Sequence, residues 1–290
     1  MMLCKTGAGA ISVALLAASS PLALAANYQR GNLELEWLHE AASVANTAAL
    51  NGLFEKALEF DDGWQFKLAI QARIASTGGA NNALDIRELL FTRQWPGGAL
   101  QAGLGREFWG TTESRHLVNV LNQSDFRFGA DGLTKLGQPM LTLNQRYANV
   151  VWKGYLLPCY RQQALTVGGV KQAGGQHDTQ AAFVPLHCRH LDKAVRAEVS
   201  TGALDMGLAW FHGRTREPQR QPNQESYPEM RRWSLDGQLT LGSWLWKLEA
   251  LRERSPQRSY QASVAGFEYT FSQWATMADI GILYESLRQT

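Results

Sequence analysis

The chain has 290 residues, of which 45% are hydrophobic and 19% are charged, and its formal net charge is +2. A charge so close to zero gives no support for a nucleic-acid partner. After residue 25 the sequence contains no run of 18 apolar residues, which excludes a helical membrane protein. No dinucleotide fingerprint, phosphate-binding loop or EF-hand pattern is present, so no cofactor is expected.

Residues 1–25 have the features of a signal peptide. Lys5 places a positive charge before the apolar segment Ile11–Ala18, and Ala23-Leu24-Ala25 forms a small-x-small cleavage site. We therefore expect an exported protein whose mature part, residues 26–290, is a single domain. Its destination is the periplasm or an outer membrane.

Apolar and polar side chains alternate from Gly63 to Ile74, after a turn at Asp61–Gly63, with Ala69 as the one apolar residue among the polar positions. Successive side chains of a β-strand point to opposite faces, so this segment has one apolar and one polar face. Its length is near the roughly 9–11 residues that a tilted strand needs to cross a bilayer. The next segment, Leu84 to Trp95, changes phase around Glu88, which predicts a β-bulge. The apolar face of the first segment consists of Trp64, Phe66, Leu68, Ile70, Ala72 and Ile74.

About a dozen such segments follow one another, with no convincing amphipathic helix between them. Many exceed the roughly 5–6 residues usual for strands of soluble sheets. Tryptophans lie at strand ends, as in the aromatic girdles of membrane barrels, and the polar faces carry both charge signs. We therefore predict an all-β fold, an antiparallel transmembrane β-barrel of about 12–16 strands, with a secreted β-sandwich as the alternative. The tryptophans concerned are Trp64, Trp95, Trp210, Trp233 and Trp244.

A long polar segment separates the strand that ends near Gly105 from the strand candidate that begins at Met140. Its density of hydrogen-bonding side chains is too high for a loosely held solvent loop. We therefore expect an ordered insertion at about residues 106–139. Three motifs mark it: Gly105-Arg106-Glu107-x-Trp109-Gly110, Asn122-Gln123-x-Asp125 and Lys135-Leu136-Gly137-Gln138-Pro139.

These motifs resemble a proteobacterial family of uncharacterised outer-membrane barrels and, more distantly, porin-like barrels of the alginate-export type. The resemblance covers Leu84 to Tyr160 and returns at Phe211–Pro218, Trp244–Glu249 and Gly266–Phe271. It implies a porin-like barrel in the outer membrane of a Gram-negative bacterium. The implied partners are outer-membrane lipid, lipopolysaccharide, the barrel-assembly machinery and small polar solutes.

One departure from the family pattern concerns the end of the sequence. Family members continue past the segment that corresponds to Ile280–Leu287 and end in an aromatic residue, whereas this sequence ends at Gln289-Thr290. We therefore expect either a C-terminally truncated barrel or one that closes by self-association as a homo-oligomer, because an open edge is not tolerated in hydrocarbon.

In the porin-like interpretation, the insertion folds into the lumen and its charges form a constriction. Rings of charge select solutes by short-range electrostatics, and the mixed signs predict no strong preference for anions or cations. The predicted function is passive diffusion of small polar solutes, without enzymatic activity. The alternative is that the same charges form a salt-bridge network that plugs the barrel. The predicted constriction residues are Arg106, Glu107, Glu113, Arg115, Asp125 and Arg127.

Two further classes of function are open. Ser114, His116 and Asp125 are the residue types of a hydrolase triad, but their spacing matches no motif, so no catalytic residue is predicted. A barrel that acts as a scaffold or surface-binding protein is the other class. It would use a basic loop region to contact lipopolysaccharide phosphates or an acidic polysaccharide. The basic residues are Arg214, Arg216, Arg220, Arg231 and Arg232.

The two cysteines of the mature chain, Cys159 and Cys188, either form one disulfide or remain free thiols. His187 and His190 flank the second cysteine. A structural zinc site usually needs four ligands in tetrahedral geometry, so no metal is predicted there.

Overall fold

The computed structural model describes residues 28–39, 46–76, 82–128, 132–163, 184, 186–221, 224–256, 258–271 and 279–290. The predicted signal peptide lies outside the described residues. In these ranges no helix is long and apolar enough to cross a membrane.

The described residues form seventeen strands and one 3-10 turn at Asp61–Gly63. The strands are β1 (Tyr28–His39), β2 (Asn46–Phe60), β3 (Trp64–Ala75), β4 (Ala83–Trp95), β5 (Gly98–Gly105), β6 (Gln138–Tyr147), β7 (Val150–Leu157), β8 (Tyr160–Arg161), β9 (Leu186–His187), β10 (Asp192–Thr201), β11 (Leu204–Arg214), β12 (Gln219–Gln221), β13 (Gln224–Ser226), β14 (Glu229–Leu241), β15 (Trp244–Arg254), β16 (Ser259–Phe271) and β17 (Ile280–Gln289).

Thirteen of these strands form one antiparallel sheet in chain order, which confirms the predicted all-β, antiparallel fold. Two small hairpins, β8–β9 and β12–β13, lie in the connections from β7 to β10 and from β11 to β14. Among the described residues no pairing joins β1 to β17, so these two strands are the edges of the sheet.

The connections differ strongly between the two ends of the sheet. At one end, called here the turn end, neighbouring strands are joined by tight turns that contain Gly97, Gly202 or Gly242. These glycines have φ values of 85°, 58° and 60°, which residues with a Cβ rarely adopt. At the other end, called the loop end, the connections include residues 106–137, 158–191 and 215–228.

The two faces of the sheet are inverted relative to a soluble protein. On β15, the apolar side chains of Trp244, Trp246 and Leu248 are exposed, whereas Lys247 and Glu249, which follow Trp246 and Leu248, are buried. The same exposure of apolar side chains on the outward face runs through the sheet, and the inward face carries most of its buried charged and polar side chains together with a smaller apolar core. Other exposed apolar residues on the outward face are Leu50, Ile74, Phe91, Leu143, Trp152, Val195, Leu208 and Ile282.

The predicted bulge in the segment from Leu84 to Trp95 is confirmed. Ala69 of β3 pairs with Glu88, but Ile70 pairs with Ile86, so Arg87 is the extra residue. A bulge lets two consecutive side chains face the same way. Arg87 and Glu88 are accordingly both buried on the inward face.

Candidate functional site

The segment between β5 and β6, residues 106–137, is called the insertion, and its described residues 106–128 and 132–137 fold across the inward face of the sheet. One side chain closes its two ends. Asn122 Nδ2 donates hydrogen bonds of 2.9 Å to the carbonyl oxygens of Gly105 and Leu136. Asn122 Oδ1 accepts a bond of 2.9 Å from the backbone N–H of Glu107. The first and last residues of the insertion are thereby held together.

Glu249 on β15 anchors the insertion to the opposite wall. Its Oε1 lies 2.8 Å and 3.0 Å from the backbone nitrogens of Thr111 and Thr112, and 2.8 Å from Thr112 Oγ1. Its Oε2 accepts a bond of 3.1 Å from the backbone N–H of Val118. Gly110 has a φ of 129°, and a Cβ there would lie 2.5 Å from Glu249 Oε1. The glycine therefore allows the close approach of the backbone to this carboxylate.

Two further contacts carry the insertion to the edge of the sheet. Glu285 on β17 accepts bonds of 2.8 Å and 2.7 Å from the backbone N–H groups of Glu113 and Ser114. Lys247 on β15 forms an ion pair of 2.8 Å with Glu113 and a second ion pair with Glu268 on β16. The insertion thus spans the inward face from β4 to β17.

The middle of the insertion contributes an apolar core to the inward face. Trp109, Val118, Val120 and Leu121 are buried against inward-facing side chains of β6, β7, β10, β11 and β14. The Trp109 ring makes an edge contact with Tyr155, with centroids 5.6 Å apart, and lies 5.1 Å from the guanidinium of Arg196. The wall residues in this core are Met140, Tyr155, Leu157, Ala194, Ala209, Phe211 and Met230.

A buried charge cluster fixes the second half of the insertion to β4. Asp125 pairs with Arg127 through two contacts of 2.8 Å, and Arg87 Nη2 lies 2.9 Å from Asp125 Oδ2. Burial raises the pKa of Asp125, but hydrogen bonds and charge from Arg127, together with the charge of Arg87, outweigh it and hold the pKa below 3.8. The Phe128 ring lies 4.5 Å from the guanidinium of Arg87. The bulge is what aims Arg87 into this cluster.

The cluster continues into the connection after β7. Arg161 forms a buried ion pair with Asp85 on β4 and donates a bond of 3.2 Å to the carbonyl oxygen of Gly137. The same connection contains a disulfide between Cys159 and Cys188. Gln138 donates a hydrogen bond to the carbonyl oxygen of Cys159, so the disulfide-bonded connection is tied to the start of β6.

The structure divides the six predicted constriction residues into two groups. Asp125 and Arg127 are buried together in the charge cluster. The others are half-buried or exposed on the inward side: Arg106 pairs with Glu88 at 3.3 Å, and Glu113 pairs with Lys247. Arg115 is exposed.

Glu107, the remaining predicted constriction residue, is half-buried and accepts a hydrogen bond of 3.3 Å from the hydroxyl of Tyr155. Burial raises the pKa of Glu107, and the opposing effects of Lys153 and Tyr155 are smaller. This carboxyl therefore stays protonated to a higher pH than an ordinary glutamate.

Other candidate groups take different roles from those that their residue types suggested. Ser114 donates its hydroxyl to Glu285, the ring of His116 contacts Phe108 edge-on, and Asp125 lies in the charge cluster. The three are not arranged as a catalytic triad. Cys188 is in the disulfide, so its sulfur is not available as a metal ligand.

Most of the arginines of the predicted basic loop region form ion pairs or hydrogen bonds within the protein. Arg216 is buried, pairs with Asp192 at 2.8 Å and donates a bond of 2.9 Å to the carbonyl oxygen of Val120. Arg214 donates to the carbonyl oxygen of Tyr227, and Arg232 pairs with Glu253. Of the five arginines, Arg231 is exposed on the outward face, and the side chain of Arg220 lies outside the described residues. The four arginines whose side chains are described therefore do not form a single basic surface.

Several residues that organise this site were not identified as such from the sequence. Glu249 and Lys247 were visible as polar residues that alternate with Trp246 and Leu248, but nothing local indicated their partners. For Asp85 and Arg87 one signal was available, because both are charged residues close to Glu88, where the bulge is predicted. Arg161 carried no signal.

No protein-family model matches this chain, and no curated protein matches it. Several solved structures are similar in fold. An outer membrane protein of Vibrio cholerae, OmpT in its trimer form, is 9% identical, with 91% of this chain and 87% of that chain covered and a TM-score of 0.36. A mutant of Rh. blastica porin is 10% identical, with 91% and 96% covered and a TM-score of 0.34. A loop-deletion mutant of V. cholerae OmpT is 9% identical, with 91% and 92% covered and a TM-score of 0.37. No statement about the activity of this chain follows from these similarities.

Proposed function

We propose that this protein is an outer-membrane β-barrel through which small polar solutes diffuse passively, and that the insertion narrows its lumen. The observation that carries the proposal is the inverted sheet, whose outward face exposes apolar side chains while its inward face buries charged ones beside the apolar core under the insertion. A contiguous apolar surface of this extent is not stable against water but suits a lipid environment.

The spacing of the tryptophans supports the membrane location. Trp64, Trp95 and Trp244 lie at the turn end, whereas Trp210 and Trp233 lie toward the loop end. On β14, eight residue steps separate Trp233 from the level of Trp244, or about 27 Å along the strand. At a strand tilt of about 40° this is about 21 Å along the membrane normal, close to the roughly 25 Å apolar band of membrane barrels.

A water-filled path beside the insertion is supported by charged side chains that remain accessible. Lys67 on the wall is 40% exposed and pairs with Glu88 at 2.7 Å, and Arg106 pairs with the same glutamate. On the far side, Glu113 is 58% exposed and shares Lys247 with Glu268. Each positive group is therefore close to a negative one, which favours weak selectivity between anions and cations.

A closed barrel requires that the edges β1 and β17 find partners, because unpaired backbone groups are costly in hydrocarbon. With thirteen antiparallel neighbours in sequence order, the first and last strands run in the same direction. Direct closure would thus be a parallel pairing, whereas closure through a second copy would pair each edge with a strand of that copy.

A non-transporting, plugged barrel is the second candidate, and a specific observation favours it. Asp85, Arg87, Asp125, Arg127 and Arg161 form one buried ionic cluster that ties the insertion to the wall. Such a cluster suits a fixed plug as well as a fixed constriction. Only a measurement of transport distinguishes the channel from the plugged barrel.

The test uses the full-length protein in outer-membrane fractions and then in planar lipid bilayers. We expect a gel-mobility shift between unboiled and boiled samples, followed by stepwise ion conductance. Glu113→Gln removes an accessible lumen charge, and we expect it to shift the cation-to-anion permeability ratio toward anions. Arg93→Gln is the control, because Arg93 lies over the Trp64 ring at 5.6 Å on the outward side and should leave the ratio unchanged. A heat-shifting protein without conductance would overturn the channel in favour of the plug, and the absence of any shift would overturn the closed barrel.

A further inference from the structure

A row of basic side chains crosses four neighbouring strands at the loop end of the outward face. Lys193 on β10 lies directly opposite His212 on β11, which lies opposite Arg231 on β14, which lies opposite Arg254 on β15. We call these four residues the basic row. Two residues nearer the middle of the sheet and on the same face, Arg252 lies opposite Trp233, which lies opposite Trp210.

The basic row points away from the lumen. Lys193 is exposed between the buried, inward-facing Asp192 and Ala194, and Arg231 is exposed next to the buried Met230. Arg254 continues the outward series of β15 that begins with Trp244. The row is therefore independent of the insertion and of the lumen charges.

The positive charge of the row is not balanced within the described residues. Glu229 contacts His212, but Lys193, Arg231, Arg252 and Arg254 form no ion pair with a carboxylate in the described part of the chain. Arg231 and Arg254 lie directly opposite each other, and like charges at such positions on antiparallel strands are destabilising, so an external anion bound between them would stabilise the pairing.

The row is confined to one sector of the outward face. At the loop end of β3, β4 and β7 the outward positions are the apolar residues Ile74, Leu84 and Leu156. Arg288 on β17 is a further exposed cation of the outward face near the loop end, but the four cations of the basic row are the ones that lie side by side on neighbouring strands. Spanning three strand spacings of about 4.8 Å, the row is about 14 Å long, enough for two phosphate groups.

The level of the row in the membrane follows from the connections. Membrane barrels place their short turns in the periplasm and their long loops outside the cell. The loop end would then lie on the extracellular side of the membrane. Trp210 and Trp233 would lie at the interface of the outer leaflet with water, and the basic row would lie just beyond them. A surface hollow of ≈ 580 Å³ lies between these side chains. It is lined by both tryptophans, by the four residues of the basic row and by Arg252.

We propose that the basic row binds the phosphate groups of a phosphorylated glycolipid of the outer leaflet, that is, the lipid A part of lipopolysaccharide. Guanidinium groups bind phosphate oxygens in bidentate geometry, and the two indole rings supply an apolar contact for the adjoining acyl chains. The inference rests on the proposed outer-membrane location, but it does not depend on whether the lumen conducts.

The experiment measures binding of lipid A to the full-length protein by native mass spectrometry from detergent. Three probes are compared: diphosphorylated lipid A, the same lipid without its phosphates, and phosphatidylethanolamine. We expect only the diphosphorylated lipid to bind tightly. Because each basic residue near an anionic surface contributes about fivefold, the double variant Arg231→Gln/Arg254→Gln should bind it about 30-fold more weakly. Arg93→Gln removes an outward cation beside a tryptophan at the turn end and should bind as wild type.

Equal binding of the phosphorylated and dephosphorylated lipids would overturn the inference, as would equal binding by wild type and the double variant. The inference would also be overturned if wild type were an oligomer, the double variant were a monomer, and added lipid changed neither state. The basic row would then be an interface between copies of the chain. The boiled and unboiled gel shift is read in the same preparations. A folded, heat-shifting protein that does not discriminate among the lipids refutes only this inference, whereas a missing shift refutes the proposed membrane barrel and the inference with it.

Discussion

Replacing Glu249 by glutamine tests whether one buried carboxylate holds the insertion against the far wall. The carboxylate is fully buried and accepts hydrogen bonds from Thr111, Thr112 and Val118. Glutamine has nearly the same shape, but it offers one oxygen and one NH2 group. If its oxygen takes the place of Oε1, its NH2 group faces the backbone N–H of Val118, and two donors then meet.

The cost follows from the hydrogen bonds. A bond to a charged acceptor contributes about 1.5–3 kcal/mol, a neutral one about 0.5–1.5 kcal/mol, and a buried unsatisfied donor costs about 1–3 kcal/mol. A neutral amide is easier to bury than a carboxylate, which offsets part of the loss. We expect docking of the insertion to weaken by about 2–4 kcal/mol, or at least about 30-fold in the ratio of docked to released insertion.

The assay is single-channel recording, supported by limited proteolysis of the folded protein at residues 106–137. Glu249→Gln should show frequent transitions to a larger conductance and faster cleavage in the insertion. Glu198→Gln is the matched control, since Glu198 is also an inward-facing carboxylate but pairs with the wall residues Lys153 and Arg196. The reasoning is refuted if Glu249→Gln gives the conductance steps and cleavage rate of the control.

Three further predictions concern stability, measured as the midpoint temperature of the gel shift or of unfolding in detergent. Asp125→Asn removes the carboxylate that lies nearest to the buried Arg87 and Arg127 and should lose about 3–5 kcal/mol of stability. An unfolding midpoint equal to that of Glu198→Gln would contradict this prediction. Reduction of the disulfide, which spans 29 residues, should cost about 3–4 kcal/mol by loop entropy, whereas reductant should not affect a variant with both cysteines changed to serine. Burial raises the pKa of Glu107 in the folded protein above its value of 4.5 in the unfolded chain. The folded protein therefore loses stability as the pH rises from 4.5 to the raised pKa. Glu107→Gln should therefore be more stable than wild type at pH 7, and this advantage should vanish below pH 4.5; an advantage independent of pH would exclude titration of Glu107 as its cause.

The sequence alone was sufficient to predict the strands of the large sheet and which side chains share a face, but not the four short strands β8, β9, β12 and β13. The two-residue period of a strand is local, so the alternation from Trp64 to Ile74 indicates which side chains share a face without knowledge of any partner. The phase change near Glu88 was readable for the same reason, because a bulge is an interruption of that period. The chain position of the insertion was also visible, since its polar composition interrupts the series of alternating segments.

Only the tertiary structure decided which charged groups meet. Thr111 and Glu249 are 138 residues apart, and Arg161 and Asp85 are 76 residues apart, so no local pattern relates them. The path of the insertion over the inward face set the first contact, and the path of the connection after β7 set the second. The basic row likewise depends on the register of four strands, because a shift of one residue in any pairing would turn that strand's cation to the other face. Local periodicity therefore determined the two faces of this protein, whereas strand register and loop path determined which residues meet on them.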